Sequence, residues 1–336
     1  MKKDIALVTG AAGFIGRSVV RSLRRKGYRV RACVHHPQGL ERFSRASDLE
    51  TICIDILDTA ALRAAMRGVD DVYHFAALVK SGASPAQLMK VNVEGSRNVW
   101  NCAAAGRVRK ALFCSTTAVY GLLAGSHQPI TEIVQPRAVE AYGKSKLLAE
   151  AAILEIAGRC QVPTVIIRPV AVFGPGENSA FGKELRHALF SKLLFAGGFK
   201  NRSFNYVHVE DVADASVHLM ERIDSQGQIY NILVENPIFF EQAYEAYLRA
   251  LDRTGGSFIW PKLLAHASRT IHKIPPLSSL ISRLGRPFVF HVWHPGYDVL
   301  FSSAKLLATA YRFKWESFED ILLSCAGHQE LFPEKG

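Results

Sequence analysis

The chain has 336 residues, 49% hydrophobic and 21% charged, with a formal charge of +11 and a pI near 9.4. That is globular composition with apolar mass enough for a large α/β unit and a smaller lobe, so dominant disorder and a disulfide- or metal-stapled small fold are excluded. No run approaches 18 consecutive apolar residues, which excludes a spanning helix, while the basic balance admits nucleic acid, an anionic membrane surface or a phosphate-bearing ligand.

Met1-Lys2-Lys3 is followed by a short apolar run that Thr9-Gly10 interrupts, so the start reads as a first strand and not as a signal peptide. Strands are expected at 5–9, 29–34, 51–54, 71–75, 110–114 and 164–168. Amphipathic helices are expected between them at 14–26, 60–67, 87–105 and 139–158. This alternation predicts an α/β fold, a Rossmann-type doubly wound parallel sheet covered on both faces. After Gly174-Pro175-Gly176 the rhythm breaks; 211–222 reads as a helix and 228–233 as one more strand. From Pro237 onward the pattern is mostly helical and interrupted by prolines. The expected division is a nucleotide-binding domain over 1–175, with 205–235 returning to it, and a smaller, mostly helical substrate lobe over 176–204 and 236–336.

The six cysteines, Cys33, Cys53, Cys102, Cys114, Cys160 and Cys325, are scattered with no C-x-x-C pair. They read as reduced core thiols of a cytoplasmic protein, and no metal site is expected. Between Asp252 and Asp298 there is no acidic residue. This stretch, 253–297, reads as a lobe with a solvated basic face, or as a peripheral contact with anionic lipid.

The first strand runs into Gly10-Ala11-Ala12-Gly13-Phe14-Ile15-Gly16 and then a helix. Glycines there serve a tight turn, close approach of backbone to pyrophosphate and close helix packing, while the helix N-terminus offers free N–H groups to the phosphates. The second strand ends in Val30-Arg31-Ala32-Cys33-Val34-His35-His36 without the carboxylate that often holds ribose hydroxyls. Arg31, His35 and His36 could instead surround a 2′-phosphate, so NADP is expected as cofactor, with NAD as the other choice. Tyr142 and Lys146, four apart, share one helix face, and an ammonium beside a phenol favours phenolate. Ser115 and Thr116, just past the fifth strand, could hold the same substrate oxygen.

Taken in order, several stretches resemble the extended short-chain dehydrogenase/reductase family, the NAD-dependent epimerase/dehydratase type. They are 9–16, Asp55-Ile56, His74-Phe75-Ala76-Ala77, Asn92-Val93-Glu94-Gly95, 114–121, 142–146, Arg168-Pro169, Gly174-Pro175-Gly176 and 206–213. The resemblance implies Tyr142 as general acid/base and Lys146 as the group that depresses its pKa and meets the nicotinamide ribose. It implies Thr116 as the catalytic hydroxyl with Ser115 beside it. Gly10, Gly13, Phe14, Ile15 and Gly16 would hold the pyrophosphate, Asp55 and Ile56 the adenine, and Ala76 and Ala77 the middle of the cofactor, with Pro169 and Val172 completing the site. Asn92 would be structural or part of the site's polar network.

Within that family, Thr117-Ala118 stands where sugar-nucleotide dehydratases carry Asp-Glu, and Ala171 where epimerases carry an Asn. The Arg-Pro-x-x-x-aromatic-Gly-Pro run is closest to the 3β-hydroxysteroid dehydrogenase and dihydroflavonol reductase branch. The resemblance thus implies hydride transfer between nicotinamide and a secondary alcohol or ketone, on an apolar small-molecule substrate. Alternative readings are a nucleotide-sugar epimerase or 4-ketosugar reductase, and a cofactor binder without turnover. Nucleic acid is not expected as a partner, and the resemblance suggests a homodimer through the 87–105 and 139–158 helices.

Overall fold

The computed structural model describes residues 4–43, 46–79, 82–121, 129–177, 203–253 and 300–325. Short runs of β-branched and aromatic residues form β1 (Ile5–Thr9), β2 (Arg29–Val34), β3 (Leu49–Cys53), β4 (Asp71–His74), β5 (Lys110–Cys114) and β6 (Thr164–Pro169). Three-residue β7 (Ala171–Phe173), β8 (Ser203–Phe204), β9 (Tyr206–His208), β10 (Ile229–Ile232) and β11 (Ile238–Phe239) follow, β8 and β11 having two residues each. Seven strands form one sheet in the order β10-β6-β5-β4-β1-β2-β3, every pair parallel. This is the doubly wound order with one strand added beyond β6.

Alternation along the strands builds two cores. Ala6 and Val8, Val30, Ala32 and Val34, Tyr73, Leu112, Val165 and Ile167 face one side, where α1 (Phe14–Arg25) and the helix Val209–Glu221 cover them. Leu7, Cys33, Val72, Ala111, Phe113 and Ile166 face the other, under α2 (Thr59–Ala65), α4 (Gly95–Gly106) and α5 (Ala141–Cys160). Such period-two burial on both faces is what a parallel sheet requires. Across the first face, Ser22 donates to Asp214 at 2.6 Å and Arg25 pairs with it at 2.9 Å.

A third cluster lies beyond the sheet. Phe318 meets Phe173 and Tyr206 edge-on at 5.2 and 5.1 Å, with Phe204, Ala243 and Tyr247 around them. Here β7 pairs with β9 in parallel and β8 with β11 antiparallel. Leu306 and Tyr311, in the stretch expected in the lobe, instead pack with the α1 face of the sheet.

The helix expected over 87–105 is in three pieces: α3 (Pro85–Leu88), a π-helical turn Met89–Glu94, and α4. Periodicity cannot reveal one added residue in a turn, and π turns of this kind gather at functional sites. Among the described residues no helix is long and apolar enough to cross a membrane, and no His/Cys/Asp/Glu group gathers to hold a metal. The six cysteines are unpaired. Of the acid-free basic stretch, residues 254–297 lie outside the described residues.

Candidate active site

The glycine loop leaves β1 through Gly10, at φ +67°, a left-handed value that favours glycine. A Cβ there would lie 2.7 Å from the Ala76 amide nitrogen, and one on Gly16 would lie 2.1 Å from Gly10 O. The loop therefore folds flat against the exit of β4. α1 begins at Gly13 with no side-chain cap and no acidic residue in its first turn. Its first N–H groups, at Phe14, Ile15 and Gly16, are thus left to an anion, which is what a pyrophosphate needs. Arg17 in that turn donates to Gly176 O at 3.3 Å and ties the helix start to the Gly174–Gly176 loop.

Ser115 and Thr116 follow β5. Thr116 Oγ1 accepts from Ala118 N at 3.2 Å and caps the 3-10 turn Thr117–Tyr120, which leaves its own proton to donate. Ser115 Oγ is buried and has no hydrogen-bond partner among the described residues. A buried unpartnered hydroxyl is costly, and a substrate or cofactor oxygen would relieve it. Tyr142 and Lys146 arrive on the first turns of α5, which can approach the 117–120 turn because residue 143 is glycine. A Cβ there would lie 2.6 Å from Ala118 O. The structure thus brings 115–116 and 142–146 to one end of the sheet.

Lys146 is buried, and its ammonium sits 3.9 Å from the Phe113 ring centroid. Burial pushes it down to about 8, against the pull of Cys114 and Glu150. The phenol of Tyr142, partly exposed but closely surrounded, is pushed above its ordinary value by burial and then by Cys114. The expected depression of Tyr142 by Lys146 is therefore corrected for the chain alone. Burial in a low-dielectric site shifts both groups toward their neutral forms, and at pH 7 Lys146 still carries its proton. One turn further, Glu150 does not collapse onto Lys146. It is held by Arg168 through Nε at 3.0 Å and Nη2 at 2.5 Å, and Arg168 Nη1 donates to Tyr120 OH at 2.9 Å. Glu150 was missed in the sequence; its place four residues after Lys146 was the available signal.

Asn92, within the π turn, accepts from Leu78 N at 2.7 Å, and its amide donates to Leu78 O at 3.2 Å and to Ser145 Oγ at 2.9 Å. Ser145 in turn donates to Tyr142 O at 2.7 Å. Asn92 is thus a brace between the β4 exit and the helix carrying Tyr142.

Arg31 is a correction. It lies mid-strand opposite Leu7 and Glu50, and its guanidinium donates to Glu50 at 2.8 Å and to the carbonyls of Ala65 and Arg67. With Nε and Nη1 so engaged, and standing three residues before the end of β2, it is not placed at the strand end where the phosphate cradle was expected. His35 and His36 are exposed just past the strand end, and Arg42, overlooked in the sequence, reaches Ala12 O of the glycine loop at 3.4 Å. Asp55 accepts from Leu57 N at 2.9 Å, and Ile56 packs where Gly95 has no side chain. Ala76 donates its amide to Thr9 Oγ1, Ala77 follows it, Pro169 ends β6, and Val172 lies in β7 opposite Val207. Thr117 donates to Pro169 O at 3.4 Å and Ala118 carries no acid, so this turn supplies no carboxyl for proton transfer.

Cinnamoyl-CoA reductase 1 of Petunia hybrida is 33% identical over 241 residues, 67% of this chain and 71% of that protein. The 3 beta-hydroxysteroid dehydrogenase/Delta 5-->4-isomerase of Mycobacterium tuberculosis is 28% identical over 273 residues, 76% of this chain and 70% of that one. Among solved structures, UDP-glucuronic acid 4-epimerase from Bacillus cereus in complex with UDP-glucuronic acid and NAD superposes over 97% of this chain and 99% of its own. The TM-score is 0.73 at 20% identity, a likeness of fold. Residues 6–232 match the NAD dependent epimerase/dehydratase family, and the glycine loop, the Ser115–Thr116 turn and the Tyr142–Lys146 helix all fall within that span; the chain belongs to this enzyme family.

Proposed function

We propose that the chain is an NADP(H)-dependent oxidoreductase that interconverts a secondary alcohol and a ketone on an apolar substrate. The observation that supports this reading is the seating of α5 against the 117–120 turn through Gly143, which brings the helix start carrying Tyr142 and Lys146 to the turn that follows Ser115 and its unpartnered hydroxyl. The nicotinamide, when bound, supplies or accepts the hydride. The backbone N–H groups at the start of α1 hold the pyrophosphate, and Asp55 and Ile56 flank the adenine. Thr116 and Ser115 donate hydrogen bonds to the substrate oxygen as charge develops on it. Tyr142 exchanges the proton on that oxygen, and Lys146 offsets negative charge on the phenol as the proton leaves. His35, His36 and Arg42 surround a ribose 2′-phosphate.

Fluorescence titration with NADPH and NADH tests the cofactor, and NADPH consumption with a panel of aryl ketones and sterones tests the reaction. NADPH preferred by tenfold or more, with ketone-dependent oxidation, is the expected result. NADH preference, or NAD that copurifies and does not exchange, would overturn it in favour of an epimerase.

A further inference from the structure

His74 ends β4, fully buried, with both ring nitrogens engaged: Nδ1 with Thr9 Oγ1 at 2.6 Å and Nε2 with Ser96 Oγ at 2.9 Å. The direction of these bonds follows by elimination. Ser96 gives its only hydroxyl proton to the Asn92 carbonyl at 2.6 Å, so its oxygen accepts from His74 Nε2–H. Nδ1 then carries the lone pair, and the Thr9 hydroxyl donates to it while accepting from Ala76 N at 3.3 Å. Burial, and after it the Lys146 ammonium, push the imidazole down to about 3, which suits a neutral ring with one donor and one acceptor.

The two ends of this chain touch the two halves of the site. Thr9 directly precedes Gly10, whose backbone lies against Ala76, so the Thr9 hydroxyl clamps the glycine loop to the β4 exit. Ser96 fixes the Asn92 carbonyl in the π turn, and the Asn92 side chain braces Leu78 and, through Ser145, the start of α5. Thr9 and Ser96 come from elements far apart in sequence, and the imidazole spans them.

We propose that His74 is a positioning residue that sets the glycine loop in register with the helix carrying Tyr142, an inference that rests on the dinucleotide-site reading above. Asn places an oxygen near the Nδ1 position and Gln a nitrogen near Nε2, so two variants separate the two ends. His74→Gln, which loses the acceptor for Thr9, weakens NADPH about fivefold to tenfold, while His74→Asn stays within about twofold. Conversely, His74→Asn, which loses the donor to Ser96, speeds amide hydrogen exchange at Leu78 and residues 143–146 about tenfold, and His74→Gln leaves it unchanged. A merely space-filling histidine would lower thermal stability in both variants without this crossover, which would overturn the proposal.

Because replacing a buried histidine can unfold the chain, Thr9→Val and Thr9→Ser carry the same prediction. The valine variant weakens NADPH as His74→Gln does, and the serine variant restores it. Equal NADPH affinity in Thr9→Val and wild type would overturn the proposal. In the wild-type chain, 15N NMR of His74 is expected to report the Nε2–H tautomer, unchanged from pH 5.5 to 8.5; an Nδ1–H tautomer would overturn the coupling with the dinucleotide reading intact. A wild-type chain binding neither NADPH nor NADH would overturn both.

Discussion

Lys146 costs the cofactor-free fold stability, and the cost is measurable. A fall from the ordinary value of 10.5 to about 8 corresponds to about 3 kcal/mol at pH 7, at about 1.4 kcal/mol per tenfold. Lys146→Met, similar in length and apolar, therefore stabilises the chain by about 3 kcal/mol at pH 7. The unfolded lysine binds its proton up to about pH 10.5, whereas the folded one has released it above about 8. The wild-type fold therefore gains stability as pH rises through this window, and the advantage of Lys146→Met shrinks by more than half at pH 10. Urea denaturation of both proteins at pH 7, 8.5 and 10 measures the difference, in which titrations of other groups cancel. A gap that stays constant with pH, or a methionine variant destabilised at every pH, would refute the reasoning.

Tyr142→Phe keeps NADPH affinity within about threefold and lowers turnover about a hundredfold or more, since it removes only the proton-exchanging group; stopped-flow oxidation with an accepted ketone measures it. Gly16→Ala puts a methyl into the Gly10 carbonyl and abolishes dinucleotide binding, with a stability loss of about 2 kcal/mol or more, read by fluorescence titration and thermal melting. Arg42→Ala weakens NADPH about tenfold and NADH little, while Arg31→Ala leaves both affinities unchanged because its Nε and Nη1 are held by Glu50 and two carbonyls, back from the end of β2. Arg168→Met leaves Glu150 buried without its partner and costs about 3–5 kcal/mol by urea denaturation, much of it restored by adding Glu150→Leu.

Much of the nucleotide-binding half was legible because its signals are local. The strand Ile5–Thr9 and glycines 10, 13 and 16 lie within a dozen residues, and Tyr142 and Lys146 lie one turn apart. What escaped was set by partners distant along the chain. Arg31 looked like a free cation at a strand end until Glu50, on the neighbouring strand, was seen to hold it. Asn92 owes its orientation to a π turn and to Ser145, 53 residues away, and the unpartnered state of Ser115 is a property of packing alone. Strands of two or three residues such as Ala171–Phe173 are too short to show a period.

The place of β10 has a consequence for synthesis. The six strands up to Pro169 can pair once the first half of the chain is available, but the strand that covers β6 begins only at Ile229. In the interval β6 presents an apolar, unpaired margin through Val165, Ile166 and Ile167, all buried in the finished protein. A nascent or truncated chain ending before Ile229 thus carries a sticky ribbon that invites another chain to dock strand to strand. Asn231 then fastens the late arrival: its backbone N–H donates to Glu132 at 2.7 Å, and its side-chain oxygen accepts from Tyr120 OH at 2.9 Å. Sealing that margin therefore also locks in the buried polar cluster beneath α5.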